Sequence, residues 1–207
     1  DYVNHFTFNV DDVFETMWTF HPQEDVDLCV LPIAPLVNAA LLQGKHLFYR
    51  TFAESLIPTE TDKSGIDAVE DVIMVGYPNG LWDQVNNMPI VRKGITATNV
   101  ALDYNGKKEF LIDAACFPGS SGSPVLICDV GGYKDKHGCI RMGSSRIYLL
   151  GILHAGPQMS VTGDFKVVTV PDSQQKAISI SRIPNNLGFI IKSERLLDFK
   201  PMFESLV

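Results

Sequence analysis

The chain has 207 residues, of which 45% are hydrophobic and 20% are charged, a composition typical of globular rather than disordered proteins. Its formal net charge is −7 and its lysines and arginines are scattered, which disfavours nucleic-acid binding. No apolar run approaches the roughly 18 residues of a membrane-spanning helix, and the first residues lack a basic-then-apolar secretory pattern. We therefore expect a globular protein whose partner is neither a nucleic acid nor a membrane.

The four cysteines form no C-x-x-C pair, so a zinc or redox motif is not indicated. We interpret Cys29, Cys116, Cys128 and Cys139 mainly as free thiols, with Cys29 and Cys128 packed as small hydrophobic residues inside strands. A disulfide between Cys128 and Cys139 across a hairpin stays open. Free thiols favour a cytoplasmic location; outside the cell, four cysteines could form two disulfides. No metal or organic cofactor is predicted.

The first third of the chain predicts short strands separated by polar turns. Apolar residues recur at strand-like intervals in residues 2–8 and 13–20, and the polar residues between them predict a turn. A mainly apolar strand is predicted at 26–31, a short helix at 35–43 that ends at Gly44, and another strand at 45–52. Residues 55–70 accumulate turn-forming and charged residues and are the best candidate for a linker.

Asp27 lies within the predicted strand at 26–31. A carboxylate inside an apolar strand loses hydration unless hydrogen bonds or a cation compensate for it. One interpretation is a residue at the start of the strand, near the surface, that caps the preceding turn. The other is a functional carboxylate, with Asp25 on the same face of the strand as the alternative residue.

Strand-forming segments dominate the second half of the chain. Apolar strands are predicted at 125–128, 146–156, 165–170 and 188–191, and the polar residues 130–146 predict an exposed hairpin. Ser193 can cap a terminal helix that carries Leu196, Leu197 and Phe199 and stops near Pro201. The pattern predicts an all-β fold with a short C-terminal helix.

The sequence FPGSSGSPV at residues 117–125 predicts a loop that presents a nucleophile. Its glycines permit a backbone bend that turns consecutive N–H groups toward one point. Acyl transfer needs such donors beside an attacking oxygen. The competing interpretation is a serine- and glycine-rich surface turn, but the proline and the apolar strand that follow favour catalysis. The G-x-S-x-G elbow of α/β-hydrolases does not fit, because position 123 is serine.

This loop and four further stretches occur in an order that resembles the chymotrypsin-like serine peptidases, in particular bacterial trypsin-like ones. GSSGSP at 119–124 is similar to their Gly-Asp/Asn-Ser-Gly-Gly/Ser-Pro signature. DLCVL at 27–31 is similar to the strand Asp-Ile-Ala-Leu-Leu that supplies the acid, and GYPNGL at 76–81 to a Gly-Asn-Pro-x-Gly-Leu turn. VRKGITA at 91–97 and IDAA at 112–115 also match in order, so the resemblance covers residues 70–156 and the stretch around Asp27.

The resemblance implies a chymotrypsin-like double β-barrel. Residues 1–68 would form an incomplete first barrel that carries the acid, and residues 69–207 a second barrel that carries the nucleophile and ends in the C-terminal helix. It also implies a serine endopeptidase that cleaves a polypeptide substrate through an acyl-enzyme. Ser121 would be the nucleophile, the N–H groups of Gly119 and Ser121 the oxyanion hole, and Asp27 the triad acid.

The resemblance further implies where the substrate would lie. The strand at 146–156 would edge the pocket, where a substrate backbone can add as a strand, through His154, Ala155 and Gly156. The pocket floor would come from Ala115, Cys116, Phe117 and Pro118, and since none of these is acidic, a preference for Arg or Lys is not expected. Glutamyl endopeptidases carry Gly-Ile-His near this position. This chain inserts Leu153, so His154 could instead pack near Asp27 or in the core.

The pattern lacks its base. A serine hydroxyl needs one, and in the family it lies upstream of the acid, where this chain has His5 and His21, neither in the expected strand context. We expect the catalytic histidine outside this sequence; the alternative is an inactive, peptidase-like binding module. Ser120 stands where trypsin-like zymogens have an acidic residue that pairs with a new amino terminus, so that route of activation is not expected.

Overall fold

The computed structural model describes residues 8, 14–156, 158–164, 178–184 and 186–203. The strands predicted at 2–8 and 165–170 lie, apart from residue 8, outside the described residues. Within the described part, the protein is mostly β, with a closed antiparallel barrel and a short helix near the C-terminus. No helix in the described ranges has the length and apolar character needed to cross a membrane.

The N-terminal part forms short elements in place of the longer strands predicted there. A 3-10 turn at Phe14–Met17 precedes two-residue strands β1 (Thr19–Phe20) and β2 (Cys29–Val30), which pair with each other. The strands predicted at 13–20 and 26–31 are therefore too long, and the strand predicted at 45–52 is wrong. A strand extends only where neighbours take up its backbone N–H and C=O groups, and among the described residues β1 and β2 have only each other.

The predicted helix at 35–43 is confirmed as α1 (Ala34–Leu42). Pro35 occupies its first turn, where the missing N–H is not needed. Gly44 follows the helix with φ +70°, a left-handed conformation that glycine adopts without strain.

The segment at 55–70 is structured and is not a linker, which corrects the sequence-based expectation. It contains a 3-10 turn at Glu54–Leu56 and helix α2 (Glu60–Gly65). Thr59 Oγ1 accepts the Asp62 N–H at 3.2 Å, and the Thr59 N–H donates to Asp62 Oδ2 at 2.9 Å, which completes a capping box. Lys63 and Ile66 are buried, and Ile66 packs in the core of the barrel.

Six of the remaining strands close into the barrel. In chain order the strands are β3 (Asp71–Gly76), β4 (Ile90–Thr96), β5 (Glu109–Asp113), β6 (Pro124–Asp129), β7 (Gly132–Lys134), β8 (Ile140–Met142), β9 (Arg146–Ala155), β10 (Gln158–Asp164), β11 (Ile178–Pro184) and β12 (Leu187–Lys192). The order around the barrel is β12-β5-β4-β3-β6-β9. Because β6 returns to pair with β3 after β3, β4 and β5 have paired in sequence, these four strands form a Greek key.

The barrel encloses the main hydrophobic core. Side chains from alternate positions of the strands fill it, and those most deeply buried are Val72, Met74, Phe110, Ile112, Val125, Ile127 and Ile190. Strands β7 and β8 form the exposed hairpin that the sequence predicts at 130–146. Strands β10 and β11 pair as a separate two-stranded sheet.

The C-terminal segment starts as a 3-10 helix at Ser193–Phe199 and continues as helix α3 (Lys200–Phe203). Ser193 is the first residue of the 3-10 helix and not its cap, and Pro201 lies inside α3 instead of ending the helix. Proline is tolerated there because the first turn of an α-helix has no use for its N–H. Phe199 packs with Leu28 and Ile191, which joins the segment to β2 and β12.

Candidate functional site

Ser121 lies on the loop between β5 and β6, in a turn and not in a helix. Its side chain is exposed, and its hydroxyl donates to the backbone carbonyl of His154 on β9 at 3.1 Å. Gly119 and Gly122 on either side have φ of +80° and +83°. A Cβ at Gly119 would lie 3.0 Å from the Tyr77 carbonyl oxygen, so this position needs glycine both for its φ and for its space.

The loop is fixed by backbone hydrogen bonds to two neighbouring elements. The Gly122 N–H donates to the Leu153 carbonyl at 2.7 Å and the Leu153 N–H donates to the Ser123 carbonyl at 2.9 Å, which ties the loop to β9. The Asn79 N–H donates to the Pro118 carbonyl at 2.7 Å, which ties it to the 3-10 turn at Pro78–Gly80. The loop is therefore held from both sides.

The backbone N–H groups of this loop differ in whether they are hydrogen-bonded. The N–H groups of Ser120, Gly122 and Ser123 donate to Phe117, Leu153 and Ser120 carbonyls at 3.0, 2.7 and 3.1 Å. Among the described residues, no acceptor is hydrogen-bonded to the N–H of Gly119 or of Ser121. One donor belongs to Ser121 itself and the other to the glycine two positions before it, and unpaired N–H groups in a glycine turn can form an anion-binding concavity.

Asp27 lies in the loop before β2, not inside a strand as predicted, and its side chain is 84% exposed. Its Oδ2 is 3.8 Å from His154 Nδ1. The structure thus brings Ser121 and Asp27 to the same residue, one to the backbone of His154 and the other to its ring. Asp25, the alternative carboxylate, lines a polar cavity of about 230 Å³ together with Glu109 and Arg195.

The imidazole of His154 lies between two carboxylates. Its Nε2 is 3.7 Å from Glu109 Oε1, is buried, and makes no hydrogen bond within the described part of the chain. Phe189 packs beside the ring with 6.2 Å between centroids. The sequence left open whether His154 lies at the pocket edge, near Asp27 or in the core. In the structure its ring lies near Asp27. The contact between Glu109 and His154 was not predicted, because no local sequence pattern indicates that these residues of β5 and β9 lie close together.

The other described histidines do not contact Ser121. His21 is buried, accepts the Gln23 N–H at its Nδ1 over 3.0 Å, and therefore donates from Nε2 to Asp198 at 3.0 Å. His46 and His137 are exposed. Thus no histidine ring in the described ranges is hydrogen-bonded to the Ser121 hydroxyl, and His5 lies outside those ranges.

The predicted pocket floor divides into a buried part and a surface part. Cys116 is 6% exposed, and a Cβ at Gly188 would lie 2.6 Å from its sulfur. Burial raises the pKa of the Cys116 thiol. Phe117 is 39% exposed, and the other surface positions near the loop are Pro118, Ala155 and Gly156. Cys116 therefore belongs to the core more than to a solvent-filled pocket.

The other cysteines differ from their predicted setting. All four thiols are free, so Cys128 and Cys139 are not bridged. Cys29 and Cys128 are exposed, whereas the sequence predicted them as buried. Their strands have one face outside the core, and the alternation of a strand puts successive side chains on opposite faces. In the described residues, no three His, Cys, Asp or Glu side chains are grouped so that they could hold a metal ion.

Arg92 on β4 is a residue of the site that the sequence analysis missed. Its Nη2 donates to Ser120 Oγ at 2.8 Å and its Nη1 donates to the Ala115 carbonyl. Ser120 is fully buried. The sequence did not predict this contact. A strand usually turns its hydrophobic side chains inward, but here Val91 and Ile95 face outward, 62% and 39% exposed, and Arg92 lies on the opposite face.

Comparisons of the chain with protein-family models, with curated proteins and with solved structures give no match.

Proposed function

We propose that the protein is a serine endopeptidase of the chymotrypsin-like, trypsin-like class that cleaves polypeptides through an acyl-enzyme at Ser121. The observation that carries this proposal is that the N–H groups of Gly119 and Ser121 have no acceptor among the described residues, in the same loop that exposes the Ser121 hydroxyl. Peptide hydrolysis needs an attacking oxygen and fixed donors for the oxyanion in one place. The loop that carries them is held on two sides, so these donors are preorganised.

The residues act in a fixed sequence in this mechanism. The Ser121 oxygen attacks the peptide carbonyl while a base takes its proton. The carbonyl oxygen becomes an oxyanion that accepts hydrogen bonds from the N–H groups of Gly119 and Ser121. The amine leaves with the proton from the base, and a water then releases the acyl group by the same steps in reverse. Removing one oxyanion donor in such a site costs about 10²–10³-fold in rate.

The barrel supports the class of fold in this proposal. The resemblance implies a closed antiparallel barrel whose loop carries the serine, and the loop between β5 and β6 lies on such a barrel. In this scheme residues 69–207 are the nucleophile barrel.

Asp27 is the proposed acid, because it approaches the same residue, His154, that Ser121 contacts. The base would be a histidine outside the described residues, placed between Asp27 and Ser121. The imidazole of this base would also cover the Asp27 carboxylate. At its present 84% exposure, solvent and salt would weaken the attraction between the carboxylate and an imidazole.

Two observations favour a second candidate, an inactive peptidase-like module that binds polypeptides. The Asp27 side chain is largely exposed, and no imidazole of the described residues is bonded to Ser121. A serine without a base keeps only the rate enhancement that the oxyanion hole and substrate binding provide.

A fluorophosphonate probe applied to the full-length protein separates the two candidates. The peptidase predicts covalent labelling that disappears in Ser121→Ala and persists in Ser145→Ala, an exposed serine on the loop before β9. Failure of the wild-type protein to label identifies the binding module. Comparison of ester with peptide substrates then separates a peptidase from an esterase that uses the same serine.

A further inference from the structure

Arg92 spans the base of the loop that carries Ser121. Its two terminal nitrogens donate to groups five residues apart, the Ala115 carbonyl at the start of the loop and the Ser120 hydroxyl next to the nucleophile. A planar guanidinium holds two acceptors in a fixed relative geometry. Arg92 therefore fixes the distance between the two ends of this segment from a position inside the barrel strand β4.

Ser120 lies between the two residues whose N–H groups are unpartnered. It is fully buried, and its own N–H donates to the Phe117 carbonyl at 3.0 Å. Its hydroxyl accepts from Arg92, so both its backbone and its side chain are fixed. The Ser121 N–H lies in the peptide plane that joins Ser120 to Ser121, so the orientation of Ser120 sets the direction of this donor. The Gly119 N–H lies in the plane that joins Pro118 to Gly119, whose carbonyl accepts the Asn79 N–H at 2.7 Å.

The charge of Arg92 is not neutralised by an ion pair. Among the described residues no carboxylate is paired with it, whereas the buried guanidinium of Arg146 is paired with both Glu70 and Asp129. Burial lowers the pKa of Arg92, which reflects the cost of keeping a cation there. Its Nε is also buried without a hydrogen-bond partner in the described residues. An unpaired cation next to the loop lowers the energy of any anion that forms there.

We propose that Arg92 is a positioning residue for the acylation step, an inference that rests on the proposed function. Through the Ser120 hydroxyl it holds the Ser121 N–H toward the developing oxyanion, and through the Ala115 carbonyl it fixes the start of the segment that leads to Gly119. Its unpaired positive charge adds to the stabilisation of that oxyanion. Position 120 carries a serine where the resemblance implies an acidic residue, and a hydrogen bond from Arg92 holds it in place of an ion pair.

Three variants of the full-length protein separate hydrogen bonding from charge. Arg92→Lys keeps the charge but loses the fork, Arg92→Gln loses the charge, and Ser120→Ala removes the acceptor and leaves the charge. The matched control is Lys93→Gln, the same change of charge one residue further along β4, where the side chain is 67% exposed and paired with Asp71. The measurements are the second-order rate of fluorophosphonate labelling, the kcat and KM for p-nitrophenyl acetate, and the unfolding midpoint.

We expect Arg92→Gln to slow labelling by about tenfold or more, part of the 10²–10³-fold that loss of an oxyanion donor costs. The kcat for the ester should fall with little change in KM, because the residue acts on the transition state. Arg92→Lys should recover part of the rate, and Lys93→Gln should match the wild type. A solely structural Arg92 would change the midpoint alone.

A wild-type labelling rate in folded Arg92→Gln overturns the inference and leaves the peptidase proposal intact. If Arg92→Gln does not fold, Ser120→Ala decides, because it removes the same hydrogen bond with a smaller change; a wild-type rate in that variant also overturns the inference. Absence of labelling in the wild-type protein overturns the proposed function itself, and this inference with it.

Discussion

The Ser121 hydroxyl donates to the backbone carbonyl of His154, with 3.1 Å between the oxygens. This bond holds the Ser121 side chain against the C-terminal end of β9, at the same residue whose ring approaches Asp27. An attacking hydroxyl must give up its hydrogen, so an incoming base has to replace the carbonyl as the acceptor. In the proposed mechanism, the His154 carbonyl therefore accepts the hydroxyl hydrogen until a base replaces it.

Gly119→Ala should abolish labelling of Ser121 by a fluorophosphonate, with a loss of roughly 10²-fold or more as expected for a displaced oxyanion donor. The added Cβ would lie 3.0 Å from the Tyr77 carbonyl oxygen at a φ of +80°, so the peptide has to move. The positive φ alone should cost about 1 kcal/mol or more in the free energy of unfolding.

Gly143→Ala is the control for that strain. Its φ is +72° and nothing lies within 4 Å of the added Cβ. It should lower stability by a similar amount and leave labelling unchanged. Equal loss of labelling in both variants would show that strain, and not the position of the Gly119 N–H, explains the effect.

Asp27→Asn should reduce kcat by up to about 10⁴-fold in an active peptidase, because an amide no longer holds the base in its reactive tautomer. Asp25→Asn should have little effect, because Asp25 lines the polar cavity and is not the carboxylate that lies 3.8 Å from His154. Steady-state kinetics of both variants on one peptide substrate make the comparison. A large loss in Asp25→Asn with none in Asp27→Asn would reverse the assignment of the acid.

Arg146→Ala should destabilise the fold by about 3–5 kcal/mol, the usual cost of removing one partner from a buried ionic cluster. Its side chain is 7% exposed, and it binds Glu70 and Asp129 at 2.7 Å each, so the change leaves two half-buried carboxylates without a cation. Urea unfolding measures the loss.

Lys93→Ala provides the reference, since its pair with Asp71 is exposed on both sides. It should change the free energy of unfolding by less than about 1 kcal/mol. Equal losses in the two variants would mean that burial does not govern these ion pairs.

The contribution of Glu194 to stability should disappear in acid. Burial disfavours its ionised form, but hydrogen bonds from Lys108 and Lys63 outweigh this and lower its pKa to about 2. Because the folded pKa is below the ordinary 4.5, its contribution is complete above pH 4.5 and is lost as the pH falls toward 2. The stability difference between wild type and Glu194→Gln should therefore shrink over that window in unfolding curves. A difference that stays constant with pH would contradict the assignment.

Thiol titration should distinguish the cysteines. Cys29, Cys128 and Cys139 are exposed, whereas Cys116 is buried with a raised pKa, and only the thiolate reacts with a disulfide reagent. We expect three thiols to react rapidly in the native protein and the fourth on unfolding. Four fast thiols would show that Cys116 is reachable from the surface, as a pocket-floor residue would be.

The sequence by itself determined the features whose signals are local. Pro35 and Gly44 mark the ends of α1, the polar residues 130–146 mark the hairpin, and the glycines around Ser121 mark a turn that presents a hydroxyl. Each of these depends on the allowed φ values of a few residues or on a short pattern of polarity. The all-β class and the short C-terminal helix follow from the same kind of signal.

Only the tertiary structure decided which groups surround Ser121. The strand predicted at 26–31 is only two residues long in the structure, because strand length depends on neighbouring strands that the local sequence does not specify. Residues 55–70 look like a linker from their composition, yet Lys63 and Ile66 are buried by packing. Arg92 reaches Ser120 across 28 positions of sequence, and His154 meets Ser121 across 33. Such contacts arise when a barrel closes, since pairing of distant strands sets which side chains share a face, and no local pattern records it.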